Sequence, residues 1–489
     1  MAKIRSITPE QIIARMRLEN PWWPTNGLFS PQSDLPRRLY FDRFFEMATQ
    51  ITVRRALVLM GPRRVGKTVM LHQLIKRLIE EGAPRRKVCF LSIDAPIYNN
   101  QGLEQLFALV RTAAGDDDPE GYTLIFDEIQ YLKDWERHLK TMVDFFPNTR
   151  IIVSGSAAAA LRLKSNESGA GRFTDFMLPP LTFQEYLHLK GLTHLVEDST
   201  IETDAGEPKS IVSTSDFSTL NHHFHEYINY GGYPEVIFNE AIRDDPGRFI
   251  RSDIIDKVLL RDLPSLYGIR DVQELNSLFN VIAWNSGNEF NLEGLSQESG
   301  VDKVTIRKYL EYLEAAFLIK VLYPVNMNSR RFQRASRFKL FLTNPSMRCA
   351  LFTPISAGDE QFGQMVETAI VAQYLHWSTF PYPLHYAAWN GGEVDLVAVD
   401  KPGKPVWAVE IKWSNQFYQH PGKLKSLLKY AAENKLNSVW TTTIDKQGFR
   451  QQAKVDMFFI AAACFCFAVG RTGLLNSGLS RINDRKMDL

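Results

Sequence analysis

The sequence predicts an α/β protein built from several domains. Short apolar runs alternate with helical patterns through the first third of the chain, as in a parallel sheet of βαβ units. A second region of alternating strands follows Pro345. A length of 489 residues suggests about three domains at roughly 150 residues each. With 45% hydrophobic and 23% charged residues, the composition excludes a disordered or fibrous chain.

The first third of the chain carries the pattern of a parallel sheet. A helix with apolar residues at helical spacing is predicted over Thr68–Glu81, and Gly82 follows it as a left-handed cap. Five short apolar runs are the candidate strands: Ala56–Met60, Val88–Ile93, Thr123–Phe126, Arg150–Ser154 and Asp175–Leu178.

The middle of the chain divides into a polar and a helical part. Residues 191–219 are polar and are predicted to be a linker or an exposed insertion. Residues 220–344 are predicted to be mainly helical. Within them, Asn291–Val325 reads as a helix, a turn at Gly300, a second helix and an apolar strand, which is the plan of a winged helix-turn-helix.

The cysteines, the N-terminus and the apolar segments indicate the cellular compartment of the protein. The four cysteines form no C-x-x-C pair, and the N-terminus has no apolar segment typical of a secretory signal. The longest apolar run, Met457–Val469, is shorter than the ~20 residues that a membrane-spanning helix needs, so it is predicted to be a buried strand or helix. These features favour a cytoplasmic protein with no membrane partner.

A phosphate-binding loop lies between the first apolar run and the first helix. Residues 61–68, GPRRVGKT, fit G-x-x-x-x-G-K-[ST]. In such a loop the glycines let backbone N–H groups surround phosphates at the positive end of the helix dipole, the lysine reaches the β- and γ-phosphates, and the hydroxyl ligates Mg²⁺. The predicted ATP-binding residues are Gly61, Pro62, Arg63, Arg64, Val65, Gly66, Lys67, Thr68 and Val69.

Two later strands supply the other candidates at this site. The run TLIFDE places Asp127 at the end of an apolar strand, where it can hold Mg²⁺, and places Glu128 where it can polarise the attacking water. The strand that begins at Arg150 is expected beside the phosphate strand, so Ser154 or Ser156 is a candidate γ-phosphate sensor. Arg172 is a candidate arginine finger, although a solvated arginine is the alternative.

The ordered motifs resemble a known protein family. GPRRVGKT, LIFDEIQ, IIVSGS, GRFTDFMLPPLTFQEYL, YGGYPEV and EVDLV…VEIK follow one another in this order. Together they resemble prokaryotic AAA-type ATPases with a C-terminal domain of unknown function that has a restriction-endonuclease-like fold. The resemblance implies an AAA-like ATPase domain over 1–190, a winged helix within 220–344 and a nuclease-like α/β domain over 345–489.

The resemblance implies a second candidate site near the C-terminus. Nucleases of the PD-(D/E)xK type carry an Asp on one strand and Glu-x-Lys on the next. Here Asp395, Glu410 and Lys412 match that pattern, and Glu367 lies on the preceding helix. Glu410 and Lys412 share one face of their strand because they alternate. Glu367, Asp395 and Glu410 are the candidate Mg²⁺ ligands, and Lys412 would orient water. A solvated hairpin or a catalytically silent fold is the alternative.

A local excess of basic residues favours a nucleic-acid partner. No Asp or Glu occurs between Glu314 and Asp359, whereas arginines, lysines and phenylalanines alternate there. DNA is favoured over RNA. The candidate contacts on the second helix of the helix-turn-helix and in the basic segment are Arg307, Lys308, Arg330, Arg331, Arg334 and Arg337.

Three function classes remain open from the sequence. The first is Mg²⁺-dependent ATP hydrolysis coupled to nucleic-acid binding, with phosphodiester cleavage by the C-terminal domain. The second is an ATP-dependent conformational switch or scaffold for a protein partner, in which the nuclease-like fold is silent. The third is a DNA-binding regulator with ATP as its ligand. Homo-oligomerisation is compatible with all three.

Overall fold

The chain forms two compact units, Met1–Leu178 and Pro179–Leu489. The computed structural model describes residues 7–50, 54–99, 101–155, 171–203, 208–331, 336–376 and 382–474. Each unit has its own sheet and is described separately below.

The first unit contains a five-stranded sheet whose strands are all parallel, in the order β2-β3-β4-β1-β5. This confirms the parallel sheet predicted from the apolar runs. Its strands are β1 (Ala56–Met60), β2 (Val88–Ser92), β3 (Thr123–Asp127), β4 (Arg150–Gly155) and β5 (Phe173–Met177). Its helices are α1 (Pro9–Glu19), α2 (Phe41–Thr49), α3 (Lys67–Glu80), α4 (Leu103–Ala114) and α5 (Trp135–Phe145).

The order of the strands brings three sequence-predicted site elements to one edge. β1 and β3 are buried along their whole length, which fits apolar strands covered on both faces. β4 lies between them and pairs with both. Because all strands are parallel, the loop after β1, Asp127 at the end of β3 and Ser154 near the end of β4 lie at the same carboxyl edge.

The second unit contains the remaining elements. Its strands are β6 (Glu197–Ile201), β7 (Lys209–Ser213), β8 (Glu289–Asn291), β9 (Ile319–Leu322), β10 (Pro324–Val325), β11 (Arg337–Leu342), β12 (Leu384–Trp389), β13 (Gly392–Val399), β14 (Pro405–Glu410), β15 (Ser438–Thr443), β16 (Gly448–Gln452) and β17 (Val455–Ala461).

Its α-helices surround these strands. They are α6 (Phe183–Leu189), α7 (Phe217–Tyr230), α8 (Pro234–Phe238), α9 (Glu240–Arg243), α10 (Pro246–Phe249), α11 (Leu263–Tyr267), α12 (Val272–Trp284), α13 (Leu292–Ser299), α14 (Lys303–Ala315), α15 (Ser346–Leu351), α16 (Phe362–Gln373), α17 (Gln416–Gln419), α18 (Lys425–Asn434) and α19 (Ala462–Leu474). Two π-helical segments, Ile250–Asp256 and Val258–Asp262, lie between α10 and α11.

The stretch predicted as a helix-turn-helix forms α13, a turn and α14, followed by strands. Asn291 caps α13, and Gly300 ends that helix with a φ of 76°, in the left-handed region that glycine adopts readily. The Asp302 carboxylate then caps α14 by accepting the N–H groups of Val304 and Thr305. A three-stranded sheet of order β8-β11-β9 accompanies the two helices.

A seven-stranded mixed sheet of order β10-β12-β13-β14-β15-β17-β16 forms the centre of the C-terminal region. β14 ends at Glu410, so Lys412 of the predicted Glu-x-Lys pattern lies just beyond this strand and not on it. The predicted apolar run Met457–Val469 is both strand and helix, since β17 ends at Ala461 and α19 begins at Ala462. No helix in the described part of the chain is long and apolar enough to cross a membrane.

The domain boundaries differ from the predicted ones. The polar stretch 191–219 contains the antiparallel hairpin of β6 and β7, whose Ile201, Ile211 and Val212 are buried in a core that extends to Val469. The hairpin was missed because most of its residues are polar. The same core also crosses the predicted boundary at residue 344, so the helix-turn-helix and the C-terminal sheet belong to one unit.

His72, on α3 of the first unit, makes the stability of that unit depend on pH. Its ring packs on Phe90 with centroids 4.7 Å apart, and burial lowers its pKa from 6.5 to about 4. The unfolded chain therefore binds a proton between these pH values that the folded chain does not. Stability should be retained above pH 6.5 and fall by ~3 kcal/mol as the pH decreases to 4.

Urea denaturation at several pH values checks this prediction. His72→Phe should lose less stability than the wild type between pH 7 and pH 4, because it removes one group that titrates there. His222→Phe is the control, since the His222 side chain is 68% exposed. Equal pH dependence in the wild type and His72→Phe would contradict the assignment.

Candidate functional site

The loop between β1 and α3 is held in a tight conformation that requires glycine. A Cβ on Gly61 would lie 2.1 Å from the Leu178 carbonyl oxygen, closer than any side chain tolerates. Gly66 has a φ of 96° and starts α3. The Arg38 guanidinium donates a 2.7 Å hydrogen bond to the carbonyl of Val65, which fixes the middle of the loop.

Lys67 is buried and lies within the curve of this loop. Its ammonium group donates to the carbonyl oxygens of Gly61 at 3.0 Å and Pro62 at 2.7 Å. A lysine in this position can exchange these carbonyl contacts for phosphate oxygens without a change of fold. The loop therefore holds a buried positive charge at the start of a helix, which is the arrangement that binds phosphate.

Asp127 connects the loop to the neighbouring strand ends. The Thr68 hydroxyl donates to one carboxylate oxygen of Asp127 at 2.6 Å, and the Ser154 hydroxyl donates to the other. Burial and the nearby Glu128 charge raise the pKa of Asp127 to about 6, although both hydroxyl hydrogen bonds and Lys67 oppose this. Thr68 and Asp127 together offer the hard oxygen ligands that Mg²⁺ prefers, so these residues fit that ion.

Glu128 begins the turn after β3. Its φ of 56° lies in the left-handed region, which is uncommon for a residue with a side chain and is typical of functional sites. Its backbone N–H donates to the Ser154 hydroxyl at 3.3 Å, and its carboxylate accepts a hydrogen bond from the Gln130 amide. Sequence reasoning did not single out Gln130, which orients this carboxylate.

Arg172 lies away from the phosphate loop of its own chain. Its carbonyl oxygen accepts the N–H of Ala56 at the amino end of β1, whereas the loop follows the carboxyl end. A five-residue strand separates these ends by ~15 Å. The guanidinium also pairs with Asp144 at 2.8 Å. Arg172 therefore lies far from the phosphate loop of its own chain, and its assignment as an arginine finger stays a prediction. The other serine candidate, Ser156, lies outside the described residues.

The second candidate site brings together the residues of the predicted Asp and Glu-x-Lys pattern. Lys412 Nζ lies 3.1 Å from Asp395 Oδ2 and 2.9 Å from Glu410 Oε1. The same Asp395 oxygen accepts the backbone N–H of Ile411 at 2.8 Å. β13 and β14, which carry the two acids, are antiparallel neighbours. The predicted proximity of these three side chains is thus present in the structure.

A second lysine, Lys339 on β11, belongs to the same cluster. Its ammonium group lies 2.7 Å from Glu393, 3.0 Å from Glu367 and 4.0 Å from Asp395. Lys339 lies in the basic segment of the sequence, but only 5% of its side chain is exposed. The sequence does contain a signal for the burial of Lys339, because this lysine interrupts a strand that is otherwise almost entirely apolar.

The cluster fits a cation, but two ammonium groups contact the acids. We name Glu367, Glu393, Asp395, Glu410, Lys339 and Lys412 the carboxylate–lysine cluster. Burial raises the pKa of Glu367 and of Glu410 above the usual range. Glu410 Oε2 is buried and accepts no hydrogen bond. Among the described residues, no three acidic, His or Cys side chains already form a metal site. The three predicted Mg²⁺ ligands, Glu367, Asp395 and Glu410, thus lie in one cluster in which ammonium groups contact them.

The remaining basic candidates differ in their surroundings. Arg307, Lys308, Arg330 and Arg331 are exposed, as a nucleic-acid contact requires. Arg337 instead forms an ion pair with Glu289 at 3.1 Å. Lys320, another basic residue of the segment, forms an ion pair with Glu314 at 2.8 Å. Both acidic partners lie outside the basic segment. Arg348 is buried. Arg334 lies outside the described residues. The basic segment is therefore less available to phosphates than its sequence indicates.

Comparison with protein families matches two parts of the chain. Residues 53–187 match a family described as an AAA domain. The first unit contains an AAA-like P-loop domain. Residues 221–359 match a domain of unknown function, DUF8612.

Curated relatives share a large part of the chain but have no assigned activity. An uncharacterized protein of Haemophilus influenzae is 26% identical over 347 residues, which cover 70% of this chain and 78% of the relative. An uncharacterized protein of Methanocaldococcus jannaschii is 26% identical over 272 residues, or 54% of this chain and 56% of the relative.

Solved structures give weaker similarities. A Walker-type ATPase of Pyrococcus abyssi aligns with 65% of this chain and 99% of its own, at 16% identity and a TM-score of 0.39. Cdc6p of Pyrobaculum aerophilum aligns with 64% of this chain and 92% of its own, at 12% identity and a TM-score of 0.29. TM-scores this low establish neither a shared overall fold nor a shared function.

The close approach at Gly61 predicts a sharp effect of a single methyl group. Gly61→Ala should destabilise the first unit by roughly 2 kcal/mol and abolish nucleotide binding, because the added Cβ displaces the loop or the Leu178 carbonyl. Thermal unfolding and titration with a fluorescent ATP analogue measure the two effects.

Gly358→Ala is the matched control for this change. A Cβ on Gly358 meets no atom within 4 Å, so this variant should behave as the wild type. Normal nucleotide binding by Gly61→Ala would show that the loop does not need the close contact between Gly61 and the Leu178 carbonyl group.

Proposed function

We propose that the protein hydrolyses ATP with Mg²⁺ at the carboxyl edge of the first sheet. The observation that carries this proposal is the direct contact between Thr68 and Asp127 beside the buried Lys67. A loop lysine, a helix-start hydroxyl and a strand-end aspartate are the parts that P-loop enzymes use for phosphoryl transfer. The AAA-domain match over residues 53–187 supports the same conclusion.

Each residue at this edge has a role that its position explains. Lys67 turns from the Gly61 and Pro62 carbonyls to the β- and γ-phosphates. Bound Mg²⁺, held through Thr68 and Asp127, would neutralise phosphate charge. Glu128 accepts a proton from water as the water oxygen bonds to the γ-phosphorus. The bond from that phosphorus to the bridging oxygen breaks, and ADP leaves with the electron pair.

Ser154 links the two acidic residues of the site. Its hydroxyl contacts the Asp127 carboxylate and the Glu128 backbone N–H. A group placed in this way holds the turn after β3 fixed relative to β4. We assign Ser154 to positioning these two residues, with γ-phosphate sensing as a consequence of that link. Arg172 can complete an ATP site only in a neighbouring copy of the chain.

Replacement of Lys67 tests the ATP site. Lys67→Ala should reduce the rate of ATP hydrolysis at least 100-fold, because the transition state loses its fixed positive charge. Lys76→Ala is the control on the same helix, since Lys76 lies on the surface and pairs with Asp34. Release of inorganic phosphate measures turnover. Undiminished turnover in Lys67→Ala would exclude this site as the source of the activity.

A second candidate function concerns the carboxylate–lysine cluster. The observation that favours it is the contact of Lys412 with Asp395 on β13 and with Glu410 at the end of β14. Carboxylates with a lysine in contact can bind a divalent cation and orient water for attack on a phosphodiester. In that reaction, water adds to phosphorus, one ester P–O bond breaks, and the departing oxygen takes a proton from solvent.

A nucleic-acid substrate would contact the exposed basic residues of the same unit. Arg307 and Lys308 lie on α14, the second helix of what we interpret as a winged helix, and Arg330 and Arg331 follow β10. DNA is the favoured partner. The rival function is an ATP-dependent switch or scaffold for a protein partner. The specific observation for that rival is Lys339, which already compensates the charges of Glu367 and Glu393.

Incubation of the purified protein with DNA and RNA distinguishes the two functions. Single- and double-stranded forms are tested with Mg²⁺ or Mn²⁺, with and without ATP. The nuclease proposal expects cleavage that Asp395→Ala and Lys412→Ala reduce at least 100-fold. Lys429→Ala is the control, since it replaces an exposed lysine outside the cluster. Absence of cleavage under all conditions, with ATP hydrolysis intact, would favour the switch or scaffold.

A further inference from the structure

Lys339 makes an unusual set of contacts for a residue from the helix-turn-helix region. It lies on β11, the central strand of the three-stranded sheet, yet its ammonium group contacts Glu367 on α16 and Glu393 and Asp395 on β13. The lysine and these acids all belong to the second unit. Its long side chain therefore joins the helix-turn-helix sheet to the carboxylate–lysine cluster.

The contacts of Lys339 and Lys412 divide the oxygens of the acids between them. Lys339 faces Glu367 Oε1 and Asp395 Oδ1, whereas Lys412 faces Asp395 Oδ2 and Glu410 Oε1. Two of the three predicted metal ligands, Glu367 and Asp395, thus point oxygens at Lys339. A divalent cation bound through those two oxygens would lie within a few ångströms of the ammonium group, where like charges repel strongly in a buried site.

The acidic groups of the cluster outnumber its ammonium groups. Four carboxyl groups accompany two lysines. Glu410 is only 9% exposed, and its Oε2 atom is buried without a hydrogen-bond donor. A buried acceptor without a donor is costly, so this atom marks where a ligand would gain most. The cluster is therefore incompletely satisfied with Lys339 in place.

We propose that Lys339 and a divalent cation compete for Glu367 and Asp395, so that a metal binds the cluster only when Lys339 leaves it. The inference rests on the proposed metal site of the second candidate function. Lys339 acts as a resident counter-ion that keeps the acids compensated in the absence of metal. Its departure frees one oxygen from each of two ligands and leaves Glu410 to complete the site.

The competition also links the site to the helix-turn-helix. β11 pairs with β8 and β9 on either side, and Lys339 itself is paired with Glu289 and Leu322. A metal that displaces the Lys339 ammonium group would therefore change the contacts of the central strand of that sheet. Contact of nucleic acid with α14 and metal binding at the cluster would in this way influence each other.

Metal binding by the full-length chain tests the competition. Mn²⁺ affinity is measured by calorimetry for the wild type, Lys339→Met and the control Lys320→Met. Lys320 is matched because it is a lysine on the adjacent strand, where it pairs with Glu314 outside the cluster. Lys339→Met should bind Mn²⁺ at least tenfold more tightly than the wild type, and Lys320→Met should equal the wild type. Equal or weaker binding by Lys339→Met would overturn the proposal.

A second measurement uses only the wild-type chain and does not depend on the folding of a variant. An amine-acetylating reagent is applied with and without Mn²⁺, and modification of individual lysines is read by mass spectrometry. Displacement should raise the labelling of Lys339 at least fivefold when Mn²⁺ is present, with no change at Lys320. Unchanged labelling of Lys339 at a saturating Mn²⁺ concentration would also overturn the proposal.

The outcomes separate this inference from the function on which it rests. Tighter Mn²⁺ binding by Lys339→Met without cleavage of any nucleic acid supports the competition and refutes the nuclease function. Cleavage with equal Mn²⁺ affinity in wild type and Lys339→Met refutes the competition alone. No Mn²⁺ binding by either protein refutes both the competition and the metal site.

Discussion

Compensation of buried carboxylates is the constraint on which both candidate sites depend. A carboxylate removed from water must gain hydrogen bonds or a cation, or else it takes up a proton. Asp127 is met by two hydroxyl groups and has a lysine nearby, whereas the C-terminal acids are met by two lysines. At the first site, the two hydroxyl groups are neutral donors that a metal can replace. The second is arranged around fixed positive charges.

The two sites also differ in the contacts that a ligand must replace. At the carboxyl edge of the first sheet, Lys67 donates hydrogen bonds to the Gly61 and Pro62 carbonyl oxygens, and contacts of this kind can be exchanged for phosphate. In the C-terminal cluster, each ammonium group pairs with at least two acids, and removal of any partner leaves charge uncompensated. A new cation in this cluster must therefore displace an existing ion pair.

The sequence predicts the strands of the first sheet and the phosphate-binding loop because their signals are local. An apolar strand ending in Asp127 and a glycine loop before a helix are each contained in a few residues. Lys339 could not be placed in this way, since its partners Glu367, Glu393 and Asp395 are distant in sequence and only the tertiary fold brings them near. The β6–β7 hairpin was missed for another reason, because its few buried positions lie among polar residues and give no clear alternation.

The segment from Ile319 to Leu342 supplies strands to two different sheets. β9 and β11 belong to the three-stranded sheet, while β10, between them in the chain, forms the edge of the seven-stranded sheet beside β12. A fragment cut after residue 344 would take β10 away and expose the edge of β12, a template for self-association. In evolutionary terms, a recombination event that exchanged the helix-turn-helix with its strands would also remove an edge strand of the C-terminal sheet.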